Sequence, residues 1–201
     1  MDWDERFRDG DYPTAPDPSP VLERYLEAAP DGRAMDLATG TGRNALALAE
    51  QGYRVDALDK ARAGLEITRG IARERGVADR LQFVQADLDE YAYPTEEYAV
   101  VTASFYRCVD RLPDIKAALV DGGYLFVQHH LRTTDDVDIG PGTDRYRFSA
   151  NELLNACLDM TVLYFDAGRE RRDDGKVAAN TQIVARKSAG LKQSYPFVER
   201  A

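Results

Sequence analysis

Cysteine and histidine are both scarce in this chain of 201 residues. Cys108 and Cys157 are the only thiols, and His129 and His130 the only imidazoles. Two isolated cysteines make neither a disulfide framework nor a CxxC metal pair, and both read as small packing residues. Adjacent histidines without spaced cysteine or histidine partners do not make a zinc site, so no metal is expected. No run of uncharged apolar residues is long enough to span a bilayer. The opening "MDWDERFRDGDYP" lacks the basic-then-apolar pattern of a secretory signal and the arginine-rich, acid-poor character of a transit peptide. These absences lead to the expectation of a cytoplasmic protein with no membrane partner.

Lysine is also rare, five of 26 basic residues, and the net charge is −9. A chain so short of positive charge is a poor match for a phosphate backbone, so no nucleic-acid partner is expected. Aspartate outnumbers glutamate, 23 to 12. An aspartate-rich, lysine-poor surface stays hydrated in concentrated salt and repels itself in dilute salt. Two readings stay open, a halophilic source or an ordinary acidic protein from a GC-rich gene.

What is present is an alternation of short apolar strands and amphipathic helices. "PVLERYLEAA" (20–29) has helical spacing, with Ser19 available as its cap. "AMDLA" reads as a buried strand, "GRNALALAEQG" as a helix stopped by Gly52, and "YRVDALD" as a strand. "ARAGLEITRGIARERG" reads as a helix stopped by Gly76, and "LQFVQAD" and "YAVVTASF" as strands. "LPDIKAALVDGG" reads as a helix and "YLFVQHHL" as a strand. After a polar loop (132–148) and a helix over "SANELLNAC" (149–157), "TVLYFDAG" and "ANTQIVARK" form an antiparallel hairpin around "RERRDDGK" (169–176). The predicted fold is α/β: a Rossmann-like, doubly wound, mostly parallel seven-stranded sheet ending in an antiparallel hairpin. One domain is expected over 1–201: an irregular arm and helix (1–30), a core (31–187) and a loosely docked tail (188–201).

The turn between the first strand and its helix carries Gly40 and Gly42. Glycine there admits backbone angles closed to other residues and lets a ligand approach the main chain at a helix N-terminus. "GTGRNA" fits the dinucleotide pattern G-x-G-x-x-G/A, a weak signal alone. Three aspartates strengthen it. Asp36 lies in the first strand, Asp59 ends the second, and Asp87 ends the third. Carboxyl ends of parallel strands line the ligand crevice of such a sheet. Asp59 there could accept both hydroxyls of a ribose, and Asp87 an exocyclic adenine amine.

Asp36-Leu-Ala-Thr-Gly40-Thr-Gly42, then Asp59, then Ala86-Asp87-Leu88, resemble the motifs of class I S-adenosylmethionine-dependent methyltransferases over about residues 30 to 187. The arm "WDERFRDGDYPTAPDPSP" is similar to arms that close over the cofactor in the tellurite-resistance and thiopurine-methyltransferase-like branch. The resemblance implies S-adenosyl-L-methionine as cofactor. It implies that Gly40, Thr41 and Gly42 wrap the amino-acid and ribose portion, with Asp36 near the amino group and Ala38 and Thr39 also among the cofactor-binding residues. Asp59 would hold the ribose, Asp87 the adenine amine, and the Leu88 N–H the ring. Lys60 and Ser104 would complete the cofactor surround. Ala38 departs from the family, where a first glycine is common.

For the chemistry, Tyr106 in "SFYRCVDR" (104–111) is expected beside the transferred methyl, with Phe105 and Arg107 near it. His129 and His130 are candidate bases on opposite strand faces, so one of them would see the pocket. Arg145 and Arg147 could pair an anionic acceptor. By exclusion, the acceptor expected is a small molecule. The competing readings are a nicotinamide-dependent oxidoreductase and a non-catalytic adenosylmethionine-binding module. The salt question is open to a direct measurement. A salt-adapted surface gives a Tm that climbs with KCl, and equal or greater stability in dilute buffer removes that reading.

Overall fold

The computed structural model describes residues 2–10, 12–14, 16–172, 174–188 and 190–198. Parts of three sequence-derived segments lie outside the described residues: positions 1, 11 and 15 of the arm, 173 of the hairpin turn, and 189 and 199–201 of the tail. The elements run α1 (Trp3–Arg8), α2 (Pro20–Leu26), β1 (Arg33–Leu37), α3 (Arg43–Glu50), β2 (Arg54–Asp59), α4 (Arg62–Glu74) and β3 (Leu81–Gln85). They continue with β4 (Tyr98–Ser104), α5 (Leu112–Ala118), β5 (Leu119–His130), α6 (Glu152–Asn155), β6 (Thr161–Arg171) and β7 (Val177–Arg186).

These strands form one seven-stranded sheet, β3-β2-β1-β4-β5-β7-β6. β1 to β5 are parallel, and β7 runs antiparallel between β5 and β6. The chain order reverses direction between β1 and β4, which opens a crevice at their carboxyl ends. Two apolar layers cover the sheet. On one face α2 and α3 pack through Leu22, Leu46 and Leu48 on Ala34, Val100 and Phe126. On the other, α5 and α6 pack through Leu112, Ile115 and Leu153 on Leu37, Val101 and Leu125. Strand side chains alternate between faces. Asp36, Thr102, Ser104, Gln128 and His130 therefore follow Ala34, Val100 and Phe126 on the α3 face, while His129 follows Leu125 and Val127 on the other.

Several expected elements shift. The arm is not wholly irregular. Asp2 caps α1, its carboxylate accepting from Asp4 N (3.0 Å) and Glu5 N (3.3 Å). Trp3 and Phe7, one turn apart, then face the body of the protein, where Phe7 packs on Ala61 and Ala63. Ser19 does not cap α2 through its hydroxyl; its backbone N–H donates to Asn44 Oδ1 at 3.3 Å. α5 stops at Ala118, and the "VDGG" expected at its end extends β5, which runs 12 residues with an irregular start against β4. The helix expected over 149–157 shrinks to four residues behind Asn151, whose backbone is left-handed at φ 61°. β6 takes in the charged "RER", so the hairpin turn is shorter than the sequence suggests. The tail is not free: Arg186 donates to the Ser194 carbonyl at 2.6 Å.

Gly42 shows why the turn after β1 needs glycine. Its φ is +90°, and a Cβ there would lie 2.6 Å from Thr68 Cγ2 and 2.9 Å from Leu46 Cδ1. Ala38 carries a side chain in the same left-handed region, φ 56°. Gly42→Ala is expected to lose about 2–4 kcal/mol from combined strain and overpacking. Ala38→Gly is expected to keep or raise stability. Paired urea titrations check both.

Candidate functional site

The site is assembled at the carboxyl ends of β1, β2 and β4. Asp59 is the last residue of β2 and is almost fully buried. Its Oδ2 accepts from Gly40 N at 2.7 Å and its Oδ1 from Ala61 N at 2.8 Å. One carboxylate thus fixes both the glycine turn and the start of α4. Burial pushes its pKa up, and the two backbone N–H groups partly hold it down. Asp36 is 2% exposed and takes a short hydrogen bond from the Thr102 hydroxyl. Burial pushes its pKa up to about 6, opposed by the hydroxyls of Thr102 and Thr39 and reinforced by the charge of Asp59.

The turn itself is braced. Thr39 N–H donates to the Leu58 carbonyl and Gly42 N–H to the Thr39 carbonyl. The Thr68 hydroxyl donates to the Gly40 carbonyl at 2.9 Å. Gly64, one helical turn before Thr68, allows that approach, since a Cβ there would sit 2.8 Å from the Gly40 carbonyl oxygen. The arm then runs along the turn. Asp4 accepts from Ala63 N at 2.6 Å, Thr41 Oγ1 donates to the Pro13 carbonyl at 2.8 Å, and Arg43 Nε donates to the Asp17 carbonyl at 2.7 Å. Asn44 closes the series, with its amide donating to Ser104 Oγ at 2.9 Å.

The expected residues divide into groups. Asp36, Ala38, Thr39, Gly40, Thr41, Gly42 and Asp59 come together around one turn, as those bonds record. Lys60 follows Asp59 and is exposed beside an open hollow of about 310 Å³ that Asp2, Trp3 and Asp4 also line. Asp87 and Leu88 lie just past β3, where Asp87 Oδ1 accepts from Asp89 N at 3.0 Å and Leu88 is buried. Ser104 points to Asn44 on the α3 face. The Tyr106 hydroxyl donates to Asp89 at 2.6 Å, so Tyr106 latches the loop after β3. Burial and this bond push its pKa up.

The two histidines separate as strand alternation requires. His129 sits edge-on to Phe148 at 5.5 Å, and Phe105 lies 4.9 Å from His130. Both are pushed down to about 4, mainly by burial. Arg147 is buried, its guanidinium donating to the Leu131 and Pro141 carbonyls at 2.9–3.2 Å. Arg145 stays at the exposed Tyr146. Sequence reasoning missed Asn44, Thr68, Thr102, Gly64, Asp4 and Phe7. A glycine in the middle of an amphipathic helix, followed four residues later by a threonine, was the one available signal.

The acids suit a ligand that brings positive charge and hydrogen-bond donors. S-adenosylmethionine has both: an ammonium, a sulfonium, a ribose diol and an adenine amine. They suit a pyrophosphate badly. Beside the N-terminus of α3, where a dinucleotide would set its phosphates, the backbone of the arm lies against the side chains of Thr41, Arg43 and Asn44.

A mostly parallel sheet in this order, with an antiparallel last strand between β5 and β6, is the class I methyltransferase fold. Residues 34–123 match the family described as "Methyltransferase domain". Over that segment the chain is similar to methyltransferase domains. It is 38% identical over 73 residues to a demethylmenaquinone methyltransferase of Clavibacter sepedonicus, covering 36% of this chain and 29% of that protein. It is 30% identical over 134 residues to the ubiquinone/menaquinone biosynthesis C-methyltransferase UbiE of Azotobacter vinelandii, covering 63% of this chain and 53% of the relative. It thus spans about half the length, or less, of these curated relatives. TehB from Haemophilus influenzae has the same fold, with a TM-score of 0.72, 18% identity, and 92% of this chain and 67% of that one covered.

Asp36 makes buried charge in the sheet a stability question. Its folded value, about 6, lies above the ordinary 3.8, so its contribution is full below pH 3.8 and lost as pH rises through 6. At pH 7.5 the buried charge costs on the order of 2–3 kcal/mol. The histidines oppose it in the same window, because values near 4 lie below the ordinary 6.5 and their contribution is lost as pH falls from 6.5. Comparing denaturation of the wild type and Asp36→Asn from pH 4 to 7.5 isolates the carboxylate. The variant is expected to be the more stable of the two at pH 7.5, by a margin that shrinks to nothing near pH 4.

Proposed function

We propose that the protein transfers a methyl group from S-adenosylmethionine to a small-molecule acceptor, acting as one domain over the chain. The observation that carries this reading is the buried Asp36–Asp59 pair at consecutive strand ends, tied to Gly40 beside the turn. When bound, the cofactor supplies an electrophilic methyl on a positively charged sulfur, displaced in line. Asp59 would accept from the ribose hydroxyls with the lone pairs its two backbone bonds leave free. Asp36 would face the ammonium, Asp87 the adenine amine and Leu88 N–H the ring, with Lys60 at the rim. The similarity to UbiE, a ubiquinone/menaquinone biosynthesis C-methyltransferase, supports a small acceptor. The tellurite-resistance-like branch remains our reading of the arm.

The basicity of the histidines narrows the chemistry. An imidazole held near pKa 4 is neutral at pH 7 and a weak base. His129 and His130 therefore suit hydrogen bonding to an acceptor better than removing its proton. An acceptor already nucleophilic at neutral pH fits the site best. Tyr106 lines the crevice from the β4 side, its hydroxyl fixed by Asp89.

Parallel calorimetry with S-adenosylmethionine, S-adenosylhomocysteine and NAD tests the reading. Micromolar binding of the first two and none of NAD is expected. Asp59→Ala should weaken binding at least tenfold, roughly 1.4 kcal/mol. Unchanged affinity in that variant removes Asp59 from the site. Turnover of labelled cofactor against thiols, amines, small acids and metalloid oxyanions separates an enzyme from a binding module.

A further inference from the structure

We propose that Ser104 and Gln128 together hold an uncharged hydroxyl group of the acceptor, in a small cavity where the starts of α2 and α3 meet the sheet. This deepens the methyltransferase reading and rests on it. The hydroxyl is an anchor, and the atom that takes the methyl lies elsewhere on the acceptor. Ser104 ends β4, and Gln128 is its partner on β5. Gln182 on β7 continues the same cross-strand row. One step back along β5 and β7 this face is apolar, at Phe126 and Val184. The change to amides falls at the carboxyl end of β5.

The cavity measures about 10 Å³, and Ser19, Leu22, Asn44, Ser104, Gln128 and Gln182 are among its walls. That is room for one water-sized group. Asn44 is held in place, its Oδ1 accepting from Ser19 N at 3.3 Å. Its amide donates to Ser104 Oγ at 2.9 Å, so the serine's own proton remains for a second partner. Gln128 Oε1 is buried with no hydrogen-bond partner among the described residues. An amide oxygen in that position is costly unless a donor reaches it. A hydroxyl meets both needs, accepting from Ser104 and donating to Gln128. An ammonium has no lone pair to accept with, and a carboxylate no proton to give. No charged side chain among the described residues lines the cavity, so either ion would enter without a counter-charge.

The neighbouring residues suit the rest of such a ligand. Phe105, directly after Ser104, is left-handed at φ 59° and sets its ring 4.9 Å from that of His130. His130 and its partner Asn180 are the next pair of the row, and His130 Nδ1 and Asn180 Oδ1 are also buried without a hydrogen bond of good geometry. Glu170 takes the Asn180 amide at 2.6 Å, which turns the Asn180 oxygen away from the carboxylate. The row therefore offers unpaired carbonyl oxygens to ligand donors, beside a ring for the ligand's apolar body.

Phenol and anisole are alike in shape, and only phenol has a proton to give. Saturation-transfer NMR on the full chain with S-adenosylhomocysteine present should show phenol bound and anisole not, with benzoate excluded by its charge. Gln128→Met keeps the length of the side chain and removes its oxygen. It should weaken phenol about fivefold and leave S-adenosylhomocysteine affinity, measured by calorimetry, unchanged. In the wild type the Gln128 side-chain amide resonances should shift with phenol and not with anisole, a readout independent of any variant's folding. Equal binding of phenol and anisole, benzoate bound as well as phenol, or phenol binding untouched by Gln128→Met overturns the proposal. Failure of S-adenosylhomocysteine to bind the wild type would instead strike the methyltransferase reading, and discrimination between phenol and anisole would still register separately.

Discussion

The bond from Gly40 N–H to the Asp59 carboxylate organises the rest of the site. A buried carboxylate at a strand end must find donors, and here it takes them from two loops at once. That choice fixes where the β1–α3 turn lies relative to α4. Thr68 and Gly64 then hold the other side of the turn, and the arm follows the surface so made. Removing the acid would leave Gly40 and Ala61 with unpaired N–H groups and the turn without its anchor, so local order depends on one side chain.

The same acid belongs to a pair under electrostatic tension. Asp36 and Asp59 are both buried and both raised in pKa by that burial, and the charge of Asp59 further disfavours ionisation of Asp36. A protein selected only for stability would replace one of them by an amide. Keeping both makes sense if a cation arrives to relieve the repulsion, and the sulfonium and ammonium of the family's cofactor are such cations. The histidines show the opposite logic. Burial keeps them uncharged, so they add polarity at the end of β5 without adding charge.

How much of this could be read from sequence depended on how each feature is encoded. The parallel sheet, the glycine turn and the acids at strand ends were legible because they follow alternation and punctuation, which are local. Asp36 and Asp59 could be placed because a strand end is easy to locate. Asn44, Thr102 and Thr68 were not, because each looks like ordinary filler until a partner sixty or thirty residues away is known. α1 was hidden by its company. Six helical residues with two apolar anchors, set among prolines and acids, carry too weak a period to stand out. The extension of β5 over "VDGG" ran against propensity, since the strand continues there past an irregularity against β4 and through backbone bonds of Gly122 and Gly123 with Lys187, just beyond β7, rather than by any preference of its residues.

β7 lies between two strands that precede it in the chain. β6 touches the sheet only through β7, so β6 has no berth until the last strand has been made. During synthesis the β5 edge must wait bare through the emergence of about fifty further residues, carrying a row of unpaired amides and its two histidines. The final strand acts as a keystone: its arrival docks β6 and covers β5 in a single event. The β5 edge of the sheet therefore matures last, after the turn beside β1 has been completed by elements nearer the start of the chain.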